Sequence, residues 1–162
     1  MYWHNQCSRF QTNINEYLYR YRVKDNSNCN FCIECDTIIH KLWECEKVVP
    51  IINGFLEFIK SECNINFKIN MIDYIFGINA ITNVTDGLNH CFLELKIFSF
   101  YHKYSTNESS QQILTVFLRQ LKGLIVREKM LAIKNKCYDR FNVKWDKFVG
   151  IYDYRGPNID MF

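Results

Sequence analysis

A cluster of cysteines around one histidine carries the clearest chemistry in the sequence. Within 17 residues the chain holds four side chains of the kinds that ligate zinc, spaced Cys-x2-Cys-x7-His-x4-Cys: Cys29, Cys32, His40 and Cys45. A Cys-x-x-Cys turn brings two sulfurs to one ion at about 2.3 Å, and a histidine with a further cysteine completes a tetrahedron. Because four protein ligands leave no position open for water, the spacing predicts one structural zinc ion and not a catalytic one.

Cys35 leaves the ligand set open, because Cys32-x2-Cys35 is an equally good turn and Cys35 could substitute for Cys29. We favour Cys29 and Cys32, since Asn30-Phe31 resembles the loop of a knuckle and Cys35 lies between two acidic residues. Two other interpretations stay open. The cysteines could be small buried hydrophobes that bind no metal, or a redox dithiol, although no βαβ pattern surrounds them.

The composition points to a reducing compartment. The chain has eight cysteines and shows no signal peptide, so clustered thiols are expected to bind metal inside the cell, in the cytoplasm or nucleus, and not in a secreted protein. No window reaches the roughly 18 uninterrupted apolar residues of a membrane helix. With 48% hydrophobic and 16% aromatic residues among 162, the chain should bury a core as one domain or as a small module with a helical unit.

The elements that must position these ligands are predicted to be helices. The pattern indicates a mainly α fold: a small Cys-Cys-His-Cys zinc knuckle followed by a helical bundle that ends in one long basic helix. The segment 64–70 alternates and could be a short strand or an extended linker. Helices are expected over roughly 11–22, over 48–63, 71–76 and 86–103 (capped by Thr85 or Asp86), and from Ser109 or Ser110 to about Phe141. A further helix, capped by Asp36 or Thr37, is expected to carry His40, Trp43 and Glu44. The regions are then a helical lead-in (1–24), the knuckle with the following helix (25–63), a helical C-terminal region (64–149) and an irregular tail (150–162).

Positive charge is concentrated near the end of the chain. From Arg119 to Lys147 there are nine basic residues and three acidic ones. A basic amphipathic helix can follow a phosphate backbone, and Trp145 and Tyr138 could stack on bases. An ordinary exposed lysine-rich face, with both aromatics in the core, is the alternative. The candidate nucleic-acid contacts are Arg119, Lys122, Arg127, Lys129, Lys134, Lys136, Arg140 and Lys144.

Signatures of enzymes do not occur in the sequence. There is no glycine-rich phosphate loop, no Gly-x-Ser-x-Gly and no His-Glu-x-x-His. We therefore expect a non-catalytic protein without a small-molecule substrate. The remaining cysteines and histidines are expected to be packing or surface residues: Cys7, Cys63, Cys91, Cys137, His4, His90 and His102.

The residues between the ligands resemble a known family. The string from Cys29 to Cys45 is similar to the zinc-binding region near the C-terminus of non-LTR (LINE-type) retrotransposon reverse transcriptases, with an acidic-Thr pair at Asp36-Thr37 and a Leu-Trp step at Leu42-Trp43. The resemblance extends over roughly residues 10–148. The flanking similarities are Tyr17-Leu18-Tyr19-Arg20, Lys24 to Ser27, Asp73 to Gly77, Leu88-Asn89, Leu95-Lys96, Val126 to Lys129 and Lys144-Trp145.

This resemblance implies a particular role. The chain would be the C-terminal portion of such a polyprotein, with zinc as its cofactor, the element's RNA and target DNA as ligands, and the rest of the polyprotein as a partner. The polymerase's catalytic aspartates do not occur here, so its activity does not transfer to this chain. Cys35 is a departure from the pattern. A zinc-stapled helical protein-interaction domain, or a degenerate copy without activity, would also fit the sequence.

Overall fold

The structure is a computed structural model that describes residues 14–79, 82–105 and 107–155. Within these ranges the chain is mainly α-helical, as the sequence predicts, and its Cys/His cluster lies near the N-terminal end. Two short helical turns of other types accompany the α-helices, a π-helical turn at His40–Glu44 and a 3-10 turn at Asp146–Phe148. The α-helices are α1 Asn15–Arg20, α2 Val49–Glu62, α3 Met71–Phe76, α4 Asn83–Tyr101, α5 Ser110–Lys134, α6 Tyr138–Trp145 and α7 Val149–Asp153.

Side chains cap the starts of three helices, α3, α4 and α5. Ser109 and Gln112 form a capping box at the start of α5, which confirms the serine cap. The Asn70 side chain caps the start of α3 by accepting a hydrogen bond from Asp73 N, and Gly77 follows the helix with a φ of 94°, which suits glycine. The predicted cap of α4 is wrong by one turn. Thr82 is the N-cap, and Thr85 is its partner three residues later in the capping box.

The first helix ends two residues earlier than predicted, and the segment 64–70 takes one of its two predicted forms. Helix α1 begins at Asn15, and the part of its predicted range before residue 14 lies outside the described residues. The segment 64–70 is an extended linker and not a strand. A single antiparallel bridge, between Asn28 and Cys35, is the β-type pairing found in the described residues.

The prediction of one long basic helix through Phe141 is wrong. Helix α5 ends at Lys134, and α6 is a separate helix. Lys136 adopts a left-handed conformation with φ 56°, its N–H donates to Ile133 O, and the N–H of Cys137 donates to Ala132 O at 2.9 Å. These two bonds form a Schellman motif, which ends a helix and turns the chain. The turn allows α6 to pack back on α4 and α5.

The irregular tail also begins later than predicted. Residues 150–153 belong to α7, and Ile151 is fully buried. Burial of the Ile151 side chain stabilises this segment as a helix that packs on the core. Residues 156–162 of the predicted tail lie outside the described residues.

The main core lies where α2, α4 and α5 meet. Phe55 contacts both Phe117 and Phe92 edge to face, with 5.4 Å and 6.3 Å between the ring centroids. Trp145 and Phe148 add the contribution of α6 and the 3-10 turn, and both are fully buried. None of the helices in the three described ranges combines the length and hydropathy needed to span a bilayer.

A smaller cluster attaches the N-terminal helix to the rest. Ile14, Leu42 and Phe100 bury one another where the residue before α1, the π-helical turn and the end of α4 meet. This contact places α1 beside the segment that carries the cysteines and His40.

Candidate metal centre

The four residues that the sequence spacing identifies lie together in space. The sulfurs of Cys29, Cys32 and Cys45 and one ring nitrogen of His40 all lie within 4.8 Å of one another. Cys29 Sγ is 3.9 Å from Cys45 Sγ, and Cys32 Sγ is 3.1 Å from His40 Nε2. Two sulfurs at about 2.3 Å from one tetrahedral ion would be about 3.8 Å apart. The four side chains could therefore hold one metal ion.

Cys35 lies apart from this group. It is exposed, whereas His40 and Cys45 are buried and Cys29 and Cys32 are half-buried. Its backbone forms the antiparallel bridge with Asn28, next to the hydrogen bond from Cys29 N to Glu34 O at 2.8 Å. The structure thus brings four candidate ligands together without Cys35, the alternative that the sequence leaves open.

Burial and the backbone act in opposite directions on the pKa of the three thiols. Burial raises the pKa of all three thiols, and hydrogen bonds from the backbone oppose this rise. The backbone of Phe31 and Cys32 lowers the pKa of Cys29 in this way, and the backbone of Glu34 lowers that of Cys32. Such N–H groups favour thiolates, which are the form that binds metal, so metal binding would release protons from these residues.

A π-helical turn joins the third and fourth ligands. The Thr37 hydroxyl accepts a hydrogen bond from His40 N at 3.0 Å, which confirms one of the two predicted caps. The N–H of Cys45 then donates to the carbonyl oxygen of His40 at 2.8 Å, a bond across five residues. Five residues are too many for one α-helical turn, and the sequence therefore predicts that Cys45 comes back from the last turn of the helix or from just beyond it. In the structure Cys45 directly follows the π-helical turn, and this wider turn brings it back to His40.

The predicted nucleic-acid contacts fall into two groups. Five of the eight are exposed: Arg119, Arg127, Lys134, Lys136 and Arg140. The other three are engaged within the fold. Lys122 Nζ donates to Tyr154 O at 2.9 Å, Lys129 Nζ lies 5.9 and 5.8 Å from the ring centroids of Tyr138 and Tyr152, and Lys144 is paired with Glu128.

The aromatic residues near these charges belong mainly to the core. Trp145 is fully buried, and its Nε1–H donates to Glu128 Oε2 at 3.1 Å. Of the two interpretations of Trp145, its burial excludes stacking on a base and confirms the core position. Tyr138 is 38% exposed and stacks on Phe141 with an interplanar angle of 15°.

The other cysteines pack, as expected, where they are described. Cys91 is fully buried in the core, and Cys63 and Cys137 are half-buried against it. His90 contacts the Trp145 ring edge to face, and His102 stacks on Phe98. Cys7 and His4 lie outside the described residues.

Comparison of the chain with protein-family models, with curated proteins and with solved structures finds no match. The resemblance to the zinc-binding region of retrotransposon reverse transcriptases therefore stays a prediction from the motif between Cys29 and Cys45.

Proposed function

We propose that this chain is a non-catalytic helical domain that one structural zinc ion stabilises and that binds nucleic acid through a cationic face. This face consists of the exposed residues Arg119, Arg127, Lys134, Lys136 and Arg140. It is the observation that carries the proposal.

The chemistry of the ligand set supports zinc as the metal. Three thiolates and one imidazole suit zinc, whereas magnesium and calcium select oxygen ligands. With all four positions filled by the protein, the ion would supply folding free energy and no reactive water.

The arrangement of charge along α5 supports a phosphate backbone as the ligand. Arg119, Arg127 and Lys134 lie on one side of the helix and span about 22 Å at 1.5 Å per residue. Helix α5 contains one acidic residue, Glu128, which is bonded to Lys144 and Trp145. The positive charges of this stripe are therefore not neutralised from within α5. A polyanion would release counterions on binding there.

The knuckle motif supports a narrower assignment. Its resemblance to the reverse transcriptase region favours the RNA and target DNA of a non-LTR element as ligands, with the rest of such a polyprotein as partner and an intracellular location. A degenerate copy of the element is the competing outcome, and it predicts that the purified chain contains no zinc.

Zinc is tested by metal content. Mass spectrometry of protein purified without chelator should find one zinc per chain. Cys29→Ser should abolish stoichiometric zinc, and the matched Cys35→Ser should retain it, since Cys35 lies outside the ligand group. Loss of zinc in Cys35→Ser alone would reassign the ligand.

Nucleic-acid binding is tested by mobility shift with structured RNA at several salt concentrations. Replacing Arg119, Arg127 and Lys134 together by glutamine should weaken binding and reduce the slope of log affinity against log salt by about 2 to 3, since each lost phosphate contact contributes about 0.7 to 0.9. Absence of salt-sensitive binding by the wild-type chain would contradict the proposal.

A matched control removes the same charge elsewhere. Lys60, Lys68 and Lys103 are exposed and lie outside α5 and α6. Their replacement by glutamine should leave the slope near its wild-type value. An equal loss of binding in both triple variants would mean that net charge, and not this face, holds the RNA.

A protein-interaction domain is the second candidate, because apolar side chains are exposed beside the cationic face. Met130 is 63% and Leu131 57% exposed, with Ile133 on the same end of α5. Leu131 and Phe141 line a groove of about 450 Å³ between α5 and α6. Exposed apolar patches of this kind mark interaction surfaces. Concentration-dependent self-association that Leu131→Ser abolishes would favour this function.

A further inference from the structure

Asn15, the first residue of α1, is almost completely buried, with 3% of its surface exposed, although its side chain is polar. Both ends of its amide are used. Nδ2 donates to Asn28 O at 2.5 Å and to Asn30 Oδ1 at 3.1 Å, and Oδ1 accepts from Lys24 Nζ at 2.6 Å. Asn28 and Asn30 are the neighbours of the ligand Cys29. The Asn15 side chain therefore holds the loop on both sides of the first cysteine.

The backbone at the start of α1 holds the other end of the same loop. The N–H of Asn15 donates to Asp36 Oδ2 at 2.9 Å, and the N–H of Glu16 donates to Asp36 O at 3.4 Å. Asp36 is 3% exposed, and its carboxylate lies 3.9 Å from Lys41 Nζ. Asp36 thus satisfies two N–H groups at the start of α1, that of Asn15 with its carboxylate and that of Glu16 with its backbone carbonyl, and negative charge is favourable at this end of a helix. Asp36 also ends the loop that begins at Asn28.

From these contacts we infer that Asn15 is a positioning residue of the metal centre and that α1 and the loop 28–36 form one structural unit around it. The inference rests on the proposed zinc site. Asn15 touches no ligand atom and acts through Asn28 and Asn30. It fixes the loop that carries Cys29 and Cys32, whose sulfurs lie within 4.8 Å of the ligand atoms of His40 and Cys45. Partners that hydrogen-bond a metal ligand directly contribute typically 10- to 100-fold to metal affinity, and we expect Asn15 to act on this scale through the loop.

A purely structural role for Asn15 makes a different prediction, and Ile14 allows the two to be separated. Ile14 is 4% exposed and attaches the start of α1 to Leu42 and Phe100 through apolar contact. Its side chain cannot donate or accept a hydrogen bond. Ile14→Ala therefore weakens the docking of α1 and leaves the bonds to Asn28 and Asn30 in place, whereas Asn15→Ala removes those bonds.

The experiment measures zinc affinity by competition with a chromophoric chelator on the full chain, together with thermal unfolding and the visible absorption of bound Co²⁺. Asn15→Ala should raise the dissociation constant of zinc 10- to 100-fold and change the Co²⁺ spectrum. Ile14→Ala should lower the unfolding temperature but keep the dissociation constant within about threefold of wild type. A small effect of Asn15→Ala on zinc, or an equal effect of Ile14→Ala, would overturn the inference.

A second variant covers the case in which Asn15→Ala does not fold. Asn30 is exposed, so Asn30→Ala removes one of the two bonds to the loop from outside the core. It should raise the zinc dissociation constant by a smaller factor and keep the fold. An unchanged affinity in Asn30→Ala, if Asn15→Ala fails to fold, overturns the inference. A wild-type chain without zinc overturns the zinc site and this inference together, whereas zinc-loaded wild type with unaffected variants overturns the inference alone.

Discussion

Lys144 Nζ lies 3.0 Å from Nδ1 of His90. An ammonium group is only a donor, so Nδ1 must accept, and the imidazole is neutral in this arrangement. Lys144 also donates to Glu128 Oε1 at 2.9 Å. The three side chains come from α4, α5 and α6, and their contacts hold the last of these helices against the other two.

We expect the protein to lose stability in mild acid because of His90. Burial lowers the pKa of His90 from its ordinary 6.5, and the neighbouring Lys144 lowers it further, against the opposing effect of Glu128 and Asp86. The unfolded chain therefore binds more protons than the folded chain between the lowered pKa and 6.5. The contribution of His90 to the free energy of unfolding is fully present above pH 6.5 and decreases as the pH falls from 6.5 towards the lowered pKa. Urea unfolding at a series of pH values measures the slope.

The matched variant for this prediction is His90→Gln. Its amide oxygen can still accept the bond from Lys144 but does not titrate near neutrality. Loss of zinc in acid would affect both proteins alike, and the difference between them isolates His90. Identical pH profiles for the two proteins would show that His90 is not responsible.

Lys144 should matter for stability, whereas Lys136 should matter for RNA binding. Lys144→Met removes a charged partner of the half-buried Glu128, whose other bond comes from Trp145, and we expect a loss of about 1–3 kcal/mol. Lys136 is exposed, and Lys136→Met should change stability by less than about 0.5 kcal/mol. In RNA binding the order reverses, with Lys136→Met the more damaging. Denaturant unfolding and mobility shifts on both variants check this, and equal stability losses would refute it.

The ligand set could be predicted because its signal is local. Four ligand types within 17 residues at Cys29, Cys32, His40 and Cys45 need no tertiary information. The choice between Cys29 and Cys35 needed the structure, since both satisfy the spacing. Asn15 gave no signal, because one asparagine before the cluster is ordinary in sequence and its bonds to the loop depend on how α1 docks.

Neither the end of α5 nor the contacts of Lys122, Lys129 and Lys144 within the fold could be predicted from the sequence, for a different reason. Where a residue in the left-handed conformation ends a helix it is usually glycine, but here Lys136 occupies this position, and the apolar pattern continues without interruption. The engagement of Lys122, Lys129 and Lys144 follows from the return of α6 and α7 across α5. Charge composition alone cannot separate such residues from exposed ones.

Lys96 should stabilise the end of α3. It is 3% exposed, and Nζ donates to the carbonyl oxygens of Tyr74 and Ile75, both at 2.9 Å. These carbonyls lie in the last turn of α3, where positive charge is favourable. Lys96→Met keeps the length of the side chain but removes the donor, and we expect a loss of about 1–3 kcal/mol. Lys103 is exposed and follows α4, the helix that carries Lys96, and Lys103→Met is therefore the control and should be near neutral. A neutral Lys96→Met in denaturant unfolding would contradict this role.

Two helical glycines should respond in opposite ways to alanine. At Gly87 in α4 an added Cβ would lie 2.8 Å from the carbonyl oxygen of Lys144 and closer still to the Phe148 ring. Gly87→Ala must therefore push α6 away from α4, and we expect a loss of about 1–3 kcal/mol. At Gly123 in α5 the nearest atom is Arg127 Nη1 at 3.7 Å. Gly123→Ala should stabilise by about 0.5–1 kcal/mol, because alanine loses less backbone entropy in a helix. Thermal unfolding of the pair gives the sign of each change, and a stabilising Gly87→Ala would mean that α6 does not pack on α4 at this distance.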